Sequence, residues 1–275
     1  MKRDLLLIGV FLLCNQCFSW DLSGIAGSRS NAMGNFSVTL HDFWSVQNNP
    51  AGIAGCRTLS LGFSYENRFF MKELSYYNGA LVFPVKFGTF GLSLSRFGFE
   101  YYNENKFGLA FARTFGPYLK MGLKLDYLLF NFNDYYEKQK VPTFELGLQS
   151  DITDDFCVGV YLFNPNNVKL KTLHHIRLPV VFRFGLSYKV IKDFLACAEA
   201  EYNSDKDLDY RFGLEYHTLK EFYIRVGVHT SPATACFGVG YTLHRVTIDV
   251  SASMNQHTGV SFQSSLIFKI KESNL

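Results

Sequence analysis

Between Leu59 and Ile270, apolar and polar side chains alternate in runs of ~10 residues, each closed by a turn, and the pattern recurs about fourteen times. In one run Ala235, Phe237, Val239, Tyr241 and Leu243 alternate with Thr234, Cys236, Gly238, Gly240 and Thr242. In the next, Val246, Ile248, Val250, Ala252 and Met254 alternate with Thr247, Asp249, Ser251 and Ser253. Successive side chains of a strand point to opposite faces, so each run has one apolar and one polar side. The alternation predicts strands over 58–67, 74–87, 88–98, 105–115, 118–132, 142–150, 155–163, 179–190, 193–203, 208–217, 222–230, 234–242, 245–253 and 259–270. A sheet built this way either packs its apolar face on another layer or closes with that face turned to lipid.

The connections favour lipid. Even-numbered turns are tight, as at Phe87-Gly88-Thr89, Phe115-Gly116-Pro117, Ile191-Lys192-Asp193 and Leu243-His244-Arg245. Odd-numbered connections are mostly longer: Asn67 to Glu73, Phe99 to Glu104, Phe132 to Val141 and Asn164 to Leu178. Short turns at one end and longer loops at the other characterise bacterial outer-membrane barrels. A secreted β-sandwich would also alternate, but it carries Greek-key crossovers in place of an uninterrupted series of hairpins. The expected fold is therefore all-β: a transmembrane antiparallel β-barrel of about fourteen strands over 58–275, with an N-terminal hatch over 20–57.

Residues 1–19 are expected to be a secretory signal. Lys2 and Arg3 precede an apolar stretch from Leu5 to Leu13, and Cys17-Phe18-Ser19 suits cleavage before Trp20. Residues 20–57 are rich in Gly, Ser and Asn and lack long alternation, so they are expected to stay out of the wall. The 28 Phe and 16 Tyr suit strands and interfacial girdles, and many of the 22 glycines fall at turns or small lumen positions. A net charge of +3, dispersed along the chain, gives no footprint for nucleic acid. The expected surroundings are outer-membrane lipid.

With the apolar phase outward, the lumen phase includes Lys120, Lys124, Asp126, Glu145, Gln149, Lys189, Asp249, Gln263 and Lys269. It also places Arg183, then Glu199 and Glu201, then Arg211 and Glu215, then Arg225 on successive staves, where opposite charges pair across the ladder. They read either as a network filling the lumen or as a polar conduit for a charged or amphipathic solute. At the far ends of the odd strands, the same phase turns Phe97, Phe99, Leu128, Phe130, Tyr161 and Phe163 inward, an apolar mouth able to catch a greasy ligand. A β-bulge near the rim would instead turn them out as girdle aromatics.

No enzyme constellation emerges. There is no G-x-S-x-G and no H-E-x-x-H, and most histidines fall at strand ends or in loops. His229 lies on the inward phase near Arg225, and the His174-His175 pair sits in the longest loop. No metal or other cofactor is expected. Cys56, Cys157, Cys197 and Cys236 lack metal-site spacing. Cys157 and Cys197 fall two strands apart, ~10 Å, too far for a bridge, and read as small buried residues.

The N-terminal segment carries a resemblance. Gly27-Ser28-Arg29-Ser30-Asn31-Ala32-Met33-Gly34, then Asp42, then Asn48-Asn49-Pro50-Ala51-Gly52-Ile53-Ala54, resembles the opening of the FadL-like outer-membrane barrels. These include the fatty-acid transporters and the PorV/PorQ branch of the type IX secretion system. The resemblance implies that Asn49, Pro50, Ala51 and Gly52 belong to a hatch inside the barrel. Proline fixes φ and extends Asn49, and Gly52 permits a sharp turn into the first strand. The chain is shorter than typical members, with shorter loops. The resemblance implies passage of a small hydrophobic or amphipathic compound through a plugged lumen. The alternative it leaves is an accessory barrel acting through secretion-system proteins.

Overall fold

The computed structural model describes residues 24–132, 138–168, 177–219 and 221–272. The expected signal segment 1–19, its cleavage point and the His174-His175 pair lie outside the described residues.

Fourteen strands form one closed antiparallel barrel in simple chain order. They are β1 Thr58–Asn67, β2 Ser75–Val85, β3 Gly88–Gly98, β4 Tyr102–Phe115, β5 Leu119–Phe132, β6 Gln139–Asp151, β7 Phe156–Phe163, β8 Val181–Ile191, β9 Phe194–Asn203, β10 Lys206–Leu219, β11 Phe222–Thr230, β12 Ala233–Leu243, β13 Val246–Asn255 and β14 Gly259–Glu272. Each strand pairs with its sequence neighbours, and β1 pairs with β14 to close the wall, so no edge is left open. An 11-residue strand such as β2 is ~36 Å long at ~3.3 Å per residue and covers ~28 Å when tilted by ~40°, enough for a hydrocarbon core.

Alternation sets the two faces. Outward positions such as Phe63, Leu94, Leu125, Phe184, Tyr210, Val239 and Val250 are large, apolar and exposed all round the wall. Water does not tolerate such a band, whereas lipid does. Inward positions are mostly small, polar or charged, and many are buried. No helix among the described residues is long and apolar enough to cross a membrane.

Register irregularities are confined to strand ends: Leu59/Ser60, Lys189/Ile191, Lys206/Asp209 and His217/Leu219. The ladders joining β3 through β8 run without a shift, so phase is kept to the long-loop ends. This decides the direction of the mouth residues. Phe97, Leu128, Phe130, Tyr161 and Phe163 are turned inward and buried. Phe99 departs from the expectation. It follows Gly98, whose φ of +97° ends β3, and its ring packs on Tyr101 outside, 39% exposed.

Residues 24–57 lie inside the barrel as short helical turns, Ser28–Ala32 and Ser45–Asn48, a 3-10 helix Pro50–Gly55, and irregular links. Nearly all of this stretch from Ile25 to Ile53 is buried.

Candidate functional site

The lumen is built from wall and N-terminal segment together. Irregular backbone inside a barrel needs partners for its N–H and C=O groups. Wall and segment side chains supply them. The Glu199 carboxylate accepts the N–H groups of Ser37 and Val38 at 2.9 and 2.8 Å. Gln149 Nε2 donates to the carbonyls of Val38 and Leu40 at 2.8 and 3.1 Å. Asn48 binds both backbone groups of Ala26, and Asn49 Nδ2 donates to Val38 O at 2.6 Å.

The Asn49–Gly52 stretch sits against β5 and β6. Asn49 is extended (φ −154°), as proline demands of its predecessor, and its Oδ1 accepts from the Ala51 N–H. Pro50 opens the 3-10 helix, where its missing N–H costs nothing. Gly52 is not in the positive-φ region, which corrects the expected sharp turn. It is small because a Cβ there would lie 2.5 Å from Ser45 Oγ and 2.6 Å from Leu40 O.

Inward glycines make the room. Gly122 faces Gly147, Gly159 faces Gly185 and Gly213 faces Gly227 in adjacent ladders. A Cβ at Gly159 would lie 2.6 Å from Val38 O and one at Gly213 2.7 Å from Met33 O. Cβ atoms at Gly122 and Gly147 would collide with the Ala51 nitrogen and Asn49 Oδ1. The wall is hollowed where the segment's backbone touches it.

The predicted lumen charges come together in two paired groups. Arg183 meets Glu201 at 2.5 Å, and Arg211 meets Glu199, Glu201 and Asp209 at 2.8–2.9 Å. Arg225 bridges Glu215 at 2.6 Å and Asp249 at 2.5 Å. Arg29 of the segment joins through Glu215 (2.7 Å) and Asp42 (3.2 Å). Each of the six lies against an opposite charge and is buried. A third cluster lies across the lumen, with Lys106 on Glu145 at 2.5 Å and Lys124 on Glu145 and Asp126 at 3.2 and 3.4 Å.

Beside it, Leu128, Phe130, Tyr161 and Phe163 pack with Val38, Val141, Leu178 and Val181 into a closed apolar cluster. Phe97 stands apart, with its ring on Tyr76 and below Arg68. A cavity of about 240 Å³ lies at the long-loop end, lined by Glu66, Arg68, Glu201, Lys206, Asp209 and His229 among others, with Asn31 and Asn35 of the segment below. His229 lies 3.8 Å from Asp209. The Arg183 guanidinium joins the two regions: it binds Glu201 of the cavity and lies 4.8 Å from the Tyr161 ring of the cluster.

Sequence reasoning missed Arg29, Lys106 and Glu104 as lumen residues. Extending the β4 phase back from Ala110 would have found Glu104 and Lys106. Arg29 has no periodicity around it; its only signal is that it stands alone as a cation in a Gly/Ser/Asn-rich stretch.

No family model matches the chain, and no curated protein matches it in sequence. Solved structures do match in fold. The CymD monoaromatic hydrocarbon channel superposes with TM-score 0.69 at 13% identity, over 92% of this chain and 99% of that one. The Ralstonia pickettii toluene transporter TbuX gives 0.66 at 13% identity, over 90% and 98%. A Pseudomonas aeruginosa FadL homologue gives 0.64 at 13% identity, again over 90% and 98%. Fourteen strands in simple order, closed on themselves and similar along nearly their whole length to these channels, identify the fold of this chain as that of the FadL-like outer-membrane β-barrels.

Proposed function

We propose that this chain resides in the outer membrane of a Gram-negative bacterium and passes a small hydrophobic or amphipathic compound through a plugged lumen. Residues 1–19 would be its secretory signal, residues 24–57 its hatch, and the short turns would face the periplasm. The supporting observation is the fold shared over nine-tenths of the chain with a monoaromatic hydrocarbon channel and a toluene transporter. An amphipathic ligand suits the lumen, because the polar cavity and the apolar cluster meet at Arg183. The cluster is packed in this conformation, so passage requires the hatch or its neighbours to move. A non-enzymatic role fits these neighbours, which are named as channels and transporters. The secretion-accessory alternative draws no support from them and is set aside.

The test is uptake of radiolabelled monoaromatic hydrocarbons and medium-chain fatty acids by a Gram-negative host lacking its own transporters of this fold. Expression of the chain is expected to speed uptake of at least one class. Equal uptake with and without the barrel, confirmed in the outer-membrane fraction, would overturn the proposal.

A further inference from the structure

At the short-turn end, three side chains of different metal-ligand chemistry converge where the N-terminal segment meets the wall. His41 belongs to the segment. Asp151 ends β6, and Cys157 is the second residue of β7. Asp151 and Cys157 are direct partners in the β6–β7 ladder, so their side chains leave the same face of adjacent strands. His41 Nε2 lies 3.0 Å from Asp151 Oδ1 and 3.5 Å from Cys157 Sγ. The three ligand atoms all lie within 4.8 Å of one another.

These separations suit one small ion. Around tetrahedral zinc, ligand bonds of ~2.0–2.3 Å put N and S about 3.5 Å apart and N and O about 3.4 Å apart. The donor set, one imidazole, one carboxylate and one thiol, selects a borderline transition-metal cation over magnesium or calcium, which take oxygen ligands. The surroundings look after the ligands. Lys120 Nζ holds the other carboxylate oxygen, Asp151 Oδ2, at 2.6 Å, leaving Oδ1 toward His41. The buried Gln149 Oε1 nearby has no hydrogen-bond partner. Ligating histidines and carboxylates are oriented by such outer contacts. His41 and Asp151 are each about one-third exposed, which leaves a side open for water as fourth ligand. Lys120 Nζ also lies 3.4 Å from His41 Nε2, so it must turn away when an ion enters.

We propose that His41, Asp151 and Cys157 form a site for Zn²⁺ or a similar divalent transition metal that clips the N-terminal segment to β6 and β7. Binding releases the Cys157 proton to solvent and leaves a thiolate on the metal. The site closes a link between a segment held inside the barrel and the short-turn rim, independently of what the lumen passes.

The experiment is titration of the full-length, untagged, reduced protein in detergent with Co²⁺, followed by displacement with Zn²⁺. One equivalent of Co²⁺ is expected to give a near-ultraviolet thiolate-to-cobalt charge-transfer band that Zn²⁺ removes. Cys157→Ser is expected to lose the band, and His41→Gln to weaken Co²⁺ binding about tenfold or more. Both variants are checked for the heat-modifiable mobility of a folded barrel. In the unaltered protein, Zn²⁺ is also expected to slow alkylation of Cys157 by a maleimide, a reading that needs no variant. Absence of the band in the unaltered protein, its persistence in Cys157→Ser, unchanged affinity in His41→Gln, or alkylation indifferent to Zn²⁺ would each overturn the site.

Discussion

Arg29 is the residue through which the segment is most firmly tied to the charged wall. Its guanidinium grips Glu215 with Nε and Nη2 at 2.8 and 2.7 Å, a two-point geometry that lysine cannot reproduce. Arg29→Gln is expected to cost about 2–3 kcal/mol, less than the ~3–5 of a fully enclosed pair because Arg29 is 23% exposed. The loss is expected as local release of the segment rather than unfolding of the wall. Cys56 reports it. Burial first, and then the nearby Asp42 carboxylate, push its thiol up to about 12, so it is protonated and slow toward maleimides at neutral pH. Faster Cys56 modification in Arg29→Gln is the expected result; an unchanged rate would show that the pair does not hold the segment. At this scale the sequence was partly legible. Period-two phase found Arg183, Glu199, Glu201, Arg211, Glu215 and Arg225, because strands have only two faces. It could not find Arg29 or His41, because irregular backbone carries no period and its neighbours are set by tertiary contact alone.

Strands and their turns were the most legible elements, since alternation and turn residues are local signals. The long-loop ends were not, because only the register decides whether Leu128 and Phe130 face lumen or lipid. The inward glycines illustrate a further limit. A glycine inside a strand weakens it by roughly 0.5–1 kcal/mol relative to alanine, and the sequence alone gives no reason for opposed pairs such as Gly213 and Gly227. The segment's backbone supplies the reason. Gly213→Leu is expected to cost about 1–3 kcal/mol by overpacking and to displace Met33. In cells this is expected to raise sensitivity to bulky antibiotics normally excluded, with a red shift of Trp44 fluorescence in the purified barrel. Unchanged permeability and emission would show that the contact is dispensable. The orientation of the elements is tested by single cysteines in a background lacking the native ones. A membrane-impermeant maleimide applied to intact cells is expected to label a cysteine replacing Asn166, in a long loop, and to spare one replacing Lys192, in a tight turn. Equal labelling would contradict the assigned orientation.

For the molecule as a whole, the closed wall has a consequence for its birth. The seam between β1 and β14 joins the two ends of the sheet, the most distant pairing in the chain, and contacts of that kind form late because their loop-closure cost comes before their reward. The segment precedes β1 and fills the space the wall encloses, touching strands on nearly every side. Once the seam has zipped, an unbroken hydrogen-bonded wall leaves no lateral door for a bulky coil to enter. The strands are expected to curl around a segment already in place, with residues 24–57 then serving as a mandrel for assembly. Changes at Asn48 or Asn49, whose amides order that coil, are expected to lower the amount of barrel that reaches the membrane before they alter anything that passes through it.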